Sequence, residues 1–326
     1  VGLCASLAQQ AHALLSEVLD ALRACGEAGA PALGRCMVVA LARTAGAYFK
    51  PLPELDGLVL RVLDLAGALL EGEFALFMPV MQRLLAKGGR RVLAPLLSRQ
   101  LHLQMARILE RAVSSLEVTA SRREKAEKGT GAEGACLTAH QTVQWCLAFF
   151  TTMVCGQDTD AAAGPAGLAR GIEDLHLDAF ICAELLPSLL RIMRVGPQAY
   201  EVLGACFLIS AVATSPCLPP YLAEFFQLAE RTVLPWLANL DRERALIDLA
   251  GWQHLDLPSG QRLGQGLRRS FIHLLGRGFQ PLDQPAVLSS KACFDFLLGL
   301  GPEPGLFPDA AACLHGKLYC AAWLCA

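Results

Sequence analysis

The sequence predicts an all-α protein, a right-handed α-solenoid of antiparallel helix pairs, and three observations carry that expectation. Apolar residues recur at steps of three and four along almost the whole chain, and no convincing alternating run is bounded by turn residues. Glycine and proline punctuate the pattern at short intervals, so neighbouring helices are joined by tight connections and must run antiparallel. Alternate helix starts are evenly spaced: from residue 174 to 219 is about 45 residues and from 219 to 259 about 40, the period of two-helix repeats.

Each element follows from the same pattern. In the first helix Leu3, Leu7, Leu14, Val18 and Leu22 share one face, while Gln10, Glu17 and Asp20 lie off it. Further helices are expected over 31–48, 54–70, 73–87, 91–121, 138–154, 174–195, 197–214, 219–239, 241–250, 259–278, 284–299 and 308–325. Gly26 to Pro31, Pro51 to Pro53, Gly88 and Gly89, Gly196 and Pro197, Pro219 and Pro220, Pro281, and Gly301 to Pro304 separate them. Ser121 to Gly134 interrupts the array with Arg122, Arg123, Glu124, Lys125, Glu127 and Lys128 followed by three glycines. A mixed-charge, glycine-bearing segment buries no apolar surface and is expected as a flexible linker. Gln157 to Gly171, rich in Ala, Gly and Asp, is a second weak region. The expected organisation is therefore helical repeats over 1–120, a linker over 121–137, a helix and loop over 138–171, and helical repeats over 172–326.

Composition excludes several classes. With 54% hydrophobic and 18% charged residues, the chain of 326 residues has ample material for a core, which rules out disorder for most of it. A net charge of -2 lacks the cationic excess that phosphate neutralisation requires, so nucleic acid is not an expected partner. Most of the 13 cysteines sit inside apolar helical runs, as Cys36, Cys146 and Cys206 do, where a thiol behaves as a small hydrophobe. No Asn-x-Ser/Thr acceptor occurs, and a reducing compartment, cytoplasmic or nuclear, is expected. The start at Val1 and the apolar end from Cys320 to Ala326 suggest a segment of a longer protein, because a complete array closes on a polar face. Two uncharged windows raise a membrane bundle as an alternative. Cys136 to Gln157 holds His140, Gln141 and Gln144, and Val202 to Ala223 breaks at Pro216, Pro219 and Pro220, leaving runs too short to span.

Four segments place proline inside an apolar helical run, around Pro79, Pro95, Pro187 and Pro235. An interior proline costs about 3 kcal/mol, so its recurrence asks for an architecture that uses the kink; the plain alternative, which Pro95 suits best, is a proline that opens a new helix. With this feature the chain resembles HEAT and armadillo-like repeats over residues 31–120 and 174–300. The long helix and the charged insertion after it are also similar to karyopherins. The resemblance implies stacked pairs with a long curved surface that binds a protein or peptide.

Motifs for chemistry are weak. Gly129, Gly131 and Gly134 spell a dinucleotide fingerprint, but it follows a charged run where a strand is needed. Phosphate-loop, zinc-protease, serine-hydrolase and paired-cysteine zinc motifs are absent. Asp158 and Asp160 offer too few fixed oxygens for a cation. Cys313, His315, Cys320 and Cys325 are soft ligands, yet on one helix His315 projects about 200° from Cys313 and one ion could not gather all four. No catalytic, metal or cofactor residue is therefore expected. The candidate partner-binding residues are Arg262, Arg269, His273 and Arg277, a stripe opposite the apolar arc of Leu263, Leu267, Phe271, Leu274 and Leu275. Such a stripe suits an acidic partner, and its plain alternative is a solvated face. Lys87, Arg90 and Arg91 form a smaller basic corner, while Trp236 and Tyr221 are anchors or packing residues. The function expected is a non-enzymatic protein-protein interaction scaffold or adaptor. Alternatives are a nuclear transport receptor segment, an all-helical enzyme or small-molecule binder, and a membrane bundle.

Overall fold

The computed structural model describes residues 90–125, 132–155, 177–195, 199–212, 215–235 and 286–299, together with Leu60, Leu63, Phe74, Met78, Met81 and Leu85. Among the described residues every regular element is helical and none is a strand, so the chain is all-α. Two compact units divide it, Val1–Arg107 and Ile108–Ala326.

In the first unit the six separate residues are all helical, and Leu63, Met78, Met81 and Leu85 are buried. Helix α1, Arg90–Ser98, places Pro95 in its interior, which corrects the expectation that this proline opens a helix. The sequence also predicts one helix over 91–121, whereas the structure ends α1 at Ser98 and starts α2, Leu101–Lys125, after a two-residue turn. The cause is local. The Pro95 carbonyl accepts the Arg99 N–H at 3.2 Å, the Ser98 hydroxyl at 2.9 Å and the Arg99 guanidinium at 3.3 Å, which draws the last turn closed. Gln100 then takes the left-handed backbone that ends helices (φ 57°), a position glycine would occupy more cheaply. Its carbonyl accepts the N–H groups of Leu103 and Gln104, so one residue closes α1 and opens α2.

Among the described residues the second unit holds the remainder of α2 and at least five further helices. Helix α3, Ala132–Cys155, buries Val143, Cys146, Leu147, Phe149, Phe150, Met153 and Val154. Helices α2 and α3 both reach into the stretch expected as linker: α2 continues to Lys125, and Ala132, Glu133 and Gly134 already lie in α3. The end of the Gly-rich motif thus lies within a helix, while Gly129 and Gly131 lie outside the described residues. Helix α4 spans residues 177–195 in three stretches, with a π-helical turn at Ile181–Leu185 between Leu177–Phe180 and Leu186–Val195. Pro187 follows directly. It has no N–H to offer the carbonyl one turn back, and a wider turn just before it accommodates that missing bond without ending the helix.

Helix α5, Ala199–Ala211, has almost no polar side: from Glu201 to Ala211 every residue whose side chain is described is buried. A helix buried all round sits inside its unit rather than on its rim. Helices α3, α4 and α6, Leu222–Thr232, pack against it. A short 3₁₀ turn at Pro219–Tyr221 leads into α6, which ends at Thr232 with Val233 as its cap; Pro235, unable to donate to a carbonyl, lies just beyond. Where the sequence predicts one helix over 284–299, the structure has a 3₁₀ turn, Ala286–Ser289, and then α7, Lys291–Gly299. Ser290 makes the break. It caps α7 by accepting the Cys293 N–H on its hydroxyl at 3.1 Å, and that hydroxyl donates to Glu230 of α6 at 2.7 Å.

Helices adjacent in sequence pack together, as α4 with α5 and α5 with α6 do. Helices two apart pack as well, α3 with α5 and α4 with α6. Phe150 of α3 lies 5.3 Å from Phe149 and 5.9 Å from Phe180 of α4, while Phe225 and Phe226 of α6 meet edge to face at 5.4 Å.

Candidate functional site: polar junctions between helices

Besides the Ser290–Glu230 contact, three polar junctions link helices among the described residues of the second unit. The deepest joins α3 to α5. His140 Nδ1 lies 2.9 Å from Glu201 Oε1, with the Glu201 side chain fully buried and 11% of the His140 side chain exposed. The bond needs one proton, given by Nδ1 to a carboxylate or by a carboxyl to Nδ1. Glu201 stands in the first turn of α5, where the positive end of the helix favours a carboxylate. Local sequence explains both placements. Ala139, His140, Val143 and Leu147 form a buried stripe of α3, and on α5 Glu201 is followed by buried Val202, Ala205 and Cys206.

The second junction joins α2, α4 and α6 by charge. Arg191 grips Glu117 with two hydrogen bonds, Nε to Oε1 at 2.9 Å and Nη2 to Oε2 at 2.5 Å, and reaches Ser114 Oγ at 2.9 Å. One turn on, Arg194 pairs with Glu224 of α6. The Arg191 hydrogen bond holds the Glu117 carboxyl below its ordinary value of 4.5, helped by the charges of Arg191 and Arg194 and opposed by burial. A carboxyl depressed on folding adds stability above its unfolded value, and that stability is lost as pH falls through the lower folded value. Glu117→Gln is accordingly expected to cost more stability at pH 7 than at pH 3. Denaturant unfolding at the two pH values measures this, and an equal loss at both would contradict it.

The third junction lies where the π-helical turn of α4 meets the turn before α6. The Ser215 hydroxyl accepts from the Cys182 thiol at 3.7 Å and from the Cys217 N–H at 3.3 Å, and donates to Asp178 Oδ2 at 3.3 Å. One donor and two acceptor positions are all a hydroxyl has, and all are in use. Burial pushes the Cys182 thiol above its ordinary value; the Ser215 hydrogen bond opposes that, and the nearby Cys217 and Asp178 reinforce it.

Three other described thiols, Cys146, Cys206 and Cys293, are kept protonated by the same physics. Burial raises Cys146, pushes Cys206 up to about 12 and Cys293 up to about 11. Since the thiolate is the reactive form, Cys217, the exposed one, is expected to be alkylated by iodoacetamide at neutral pH far ahead of Cys146, Cys206 and Cys293. Mass spectrometry of the native chain over time checks the order, and equal rates would overturn the burial assigned to the three.

The residues singled out from sequence fall elsewhere. Arg262, Arg269, His273 and Arg277 lie outside the described residues, as do Asp158, Asp160, Cys313, His315, Cys320, Cys325, Lys87 and Trp236. Arg90 and Arg91 open α1, and Tyr221 is half-buried at the turn before α6. Sequence reasoning missed all three junctions. His140 was visible only as a polar interruption of an apolar window, and its partner stands 61 positions away. Among the described residues no group of three His, Cys, Asp or Glu side chains could hold a metal ion. Among them, too, no helix is long and apolar enough to cross a membrane. Comparison of the chain with family models, with curated proteins and with solved structures gives no match.

Proposed function

We propose that the chain is a non-enzymatic protein-protein interaction scaffold of the helical-repeat type, whose stacked helix pairs present a surface to an acidic protein or peptide. The observation that supports this reading is the order of coupling. Helix α2 is tied to α4 through Glu117 and Arg191, α4 to α6 through Arg194 and Glu224, and α3 to α5 through His140 and Glu201. Bonds between helices two apart, combined with packing between consecutive ones, are the nearest-neighbour wiring of a two-layer stack. In this reading the buried and half-buried polar groups hold elements in register, and binding falls to exposed side chains. The basic stripe of Arg262, Arg269, His273 and Arg277 is the surface proposed for the partner.

The test is affinity capture by the purified, reduced chain at physiological salt, repeated with Arg262, Arg269 and Arg277 changed to Glu. Retention of one or two proteins that the charge-reversed chain loses, with its helical circular dichroism intact, supports the scaffold and its surface. Retention that charge reversal leaves unchanged contradicts the surface, and no specific retention contradicts the scaffold.

One observation favours a second reading, an all-helical enzyme. An imidazole oriented by a buried carboxylate, with 11% of its side chain exposed, is an arrangement that a general base can use. A hydrolytic or proton-transfer activity that vanished in His140→Gln while the fold held would select it over the scaffold.

A further inference from the structure

Cys182 and Cys217 are brought to one oxygen by two different elements. Cys182 sits in the π-helical turn of α4, buried, and gives its thiol proton to Ser215 Oγ at 3.7 Å. Cys217 is exposed in the turn two residues after Ser215, and its backbone N–H points at the same oxygen at 3.3 Å. The Cys182 sulfur therefore lies no farther from the Cys217 backbone nitrogen than those two distances laid end to end. Ser215 Oγ is thus a contact the two residues share, and a bond between their sulfurs requires the exposed Cys217 side chain to turn inward past it. Ser215 does more than bridge them: it donates to Asp178 Oδ2 at 3.3 Å, so hydrogen bonds run in one direction from thiol to hydroxyl to carboxylate.

We propose that this junction is a thiol-oxidation site, at which a hydroperoxide converts Cys217 and Cys182 into a reversible disulfide while Ser215 and Asp178 take up the proton of Cys182. In the first step the exposed Cys217 thiolate attacks one oxygen of the hydroperoxide. The O–O bond breaks, Cys217 becomes a sulfenic acid, and for hydrogen peroxide the other oxygen leaves as hydroxide and takes a proton to become water. In the second step the Cys182 sulfur attacks the Cys217 sulfur, and the S–O bond breaks to release hydroxide. The Cys182 proton passes to Ser215 as the Ser215 proton passes to Asp178; Asp178 then returns a proton to the hydroxide, giving a second water. Two thiols and one peroxide thus give one disulfide and two waters, and a dithiol reductant reverses the change.

The division of labour follows from the surroundings. Cys217, open to solvent, meets the oxidant. Cys182 is held as a thiol by its burial, and so is protected until a neighbouring sulfenic acid and a proton acceptor are both in place. The disulfide would fasten the turn before α6 to the π-helical turn of α4 and cost Ser215 its present bonds.

The experiment exposes the folded chain to an equivalent of hydrogen peroxide, blocks free thiols, and maps the unreduced peptides by mass spectrometry. Trypsin leaves Cys206 and Cys217 on one peptide, so fragment ions between them must assign the bond. The expected result is a Cys182–Cys217 link two hydrogens lighter than the dithiol, removed by dithiothreitol and lost in Cys182→Ser and in Cys217→Ser. Ser215→Ala and Asp178→Asn, with helical circular dichroism unchanged, are expected to slow its formation by about a hundredfold, the low end of general-base contributions. In both variants dimedone-labelled Cys217 should accumulate. Cys217 carried on to sulfinic or sulfonic acid while Cys182 stays a free thiol would overturn the proposal, as would pairing of Cys217 with any other cysteine. A link that formed at the normal rate in both variants would remove Ser215 and Asp178 from it.

Discussion

Replacing His140 with alanine is expected to lower the unfolding free energy by about 3–5 kcal/mol, the cost of taking one partner from a buried pair. Glu201 has no exposed surface, and the substitution removes the imidazole that its Oε1 meets at 2.9 Å between α3 and α5. A carboxylate cannot be resolvated there without opening the helix interface. Changing both residues to leucine removes the desolvation cost together with the bond, so the double variant should recover most of the loss. Urea denaturation of the two variants against the parent chain gives both numbers. A double variant as weak as the single one would show that the pair supplies net attraction, and not mainly a matched set of polar groups.

Phe150→Ala is the second large effect, expected at about 3–5 kcal/mol. The ring is fully buried and lies between Phe149 on its own helix and Phe180 at the start of α4. Its removal leaves a cavity at the place where α3 meets α4, and rings on two separate helices cannot both collapse into it. Val118→Ala serves as the contrast. That side chain is about half exposed on α2, and its truncation should change stability by no more than about 0.5 kcal/mol. A Phe150→Ala loss as small as that of Val118→Ala would contradict the packing described at this interface.

The all-helical character was legible in the sequence because apolar spacing at three and four residues reports which face of a helix is buried, and burial of that face is most of what stabilises it. Helices α3 to α6 fall near their expected positions for that reason. Boundaries were harder to read. The break at Gln100 depends on a proline carbonyl shared by Ser98 and Arg99 and on a non-glycine residue in the left-handed region, which no glycine signal marks. Ser290 interrupts an apolar run by capping with its hydroxyl, and Lys125 and Ala132 extend helices into a charged stretch that composition assigns to a linker. The interior position of Pro187 is legible in the sequence, but the π-helical turn before it is not.

The polar junctions were illegible for a different reason. His140 and Glu201, Arg191 and Glu117, and Cys182 and Ser215 are joined across 61, 74 and 33 positions, and a single sequence carries no signal for such pairings. The stripe that sequence periodicity did suggest, Arg262 to Arg277, lies outside the described residues and rests on the proposed reading alone.

Native-state hydrogen exchange of α5 tests the account at its centre. A helix buried on all sides, clasped by α3, α4 and α6 and tied at its first turn to His140, opens only when the whole second unit unfolds. The amides of residues 205–211 should therefore be among the slowest in the chain, with a protection free energy that falls one for one with global stability in His140→Ala. Exchange of α5 at the rate of the exposed turn at 216–217, or protection that His140→Ala leaves unchanged, would contradict it.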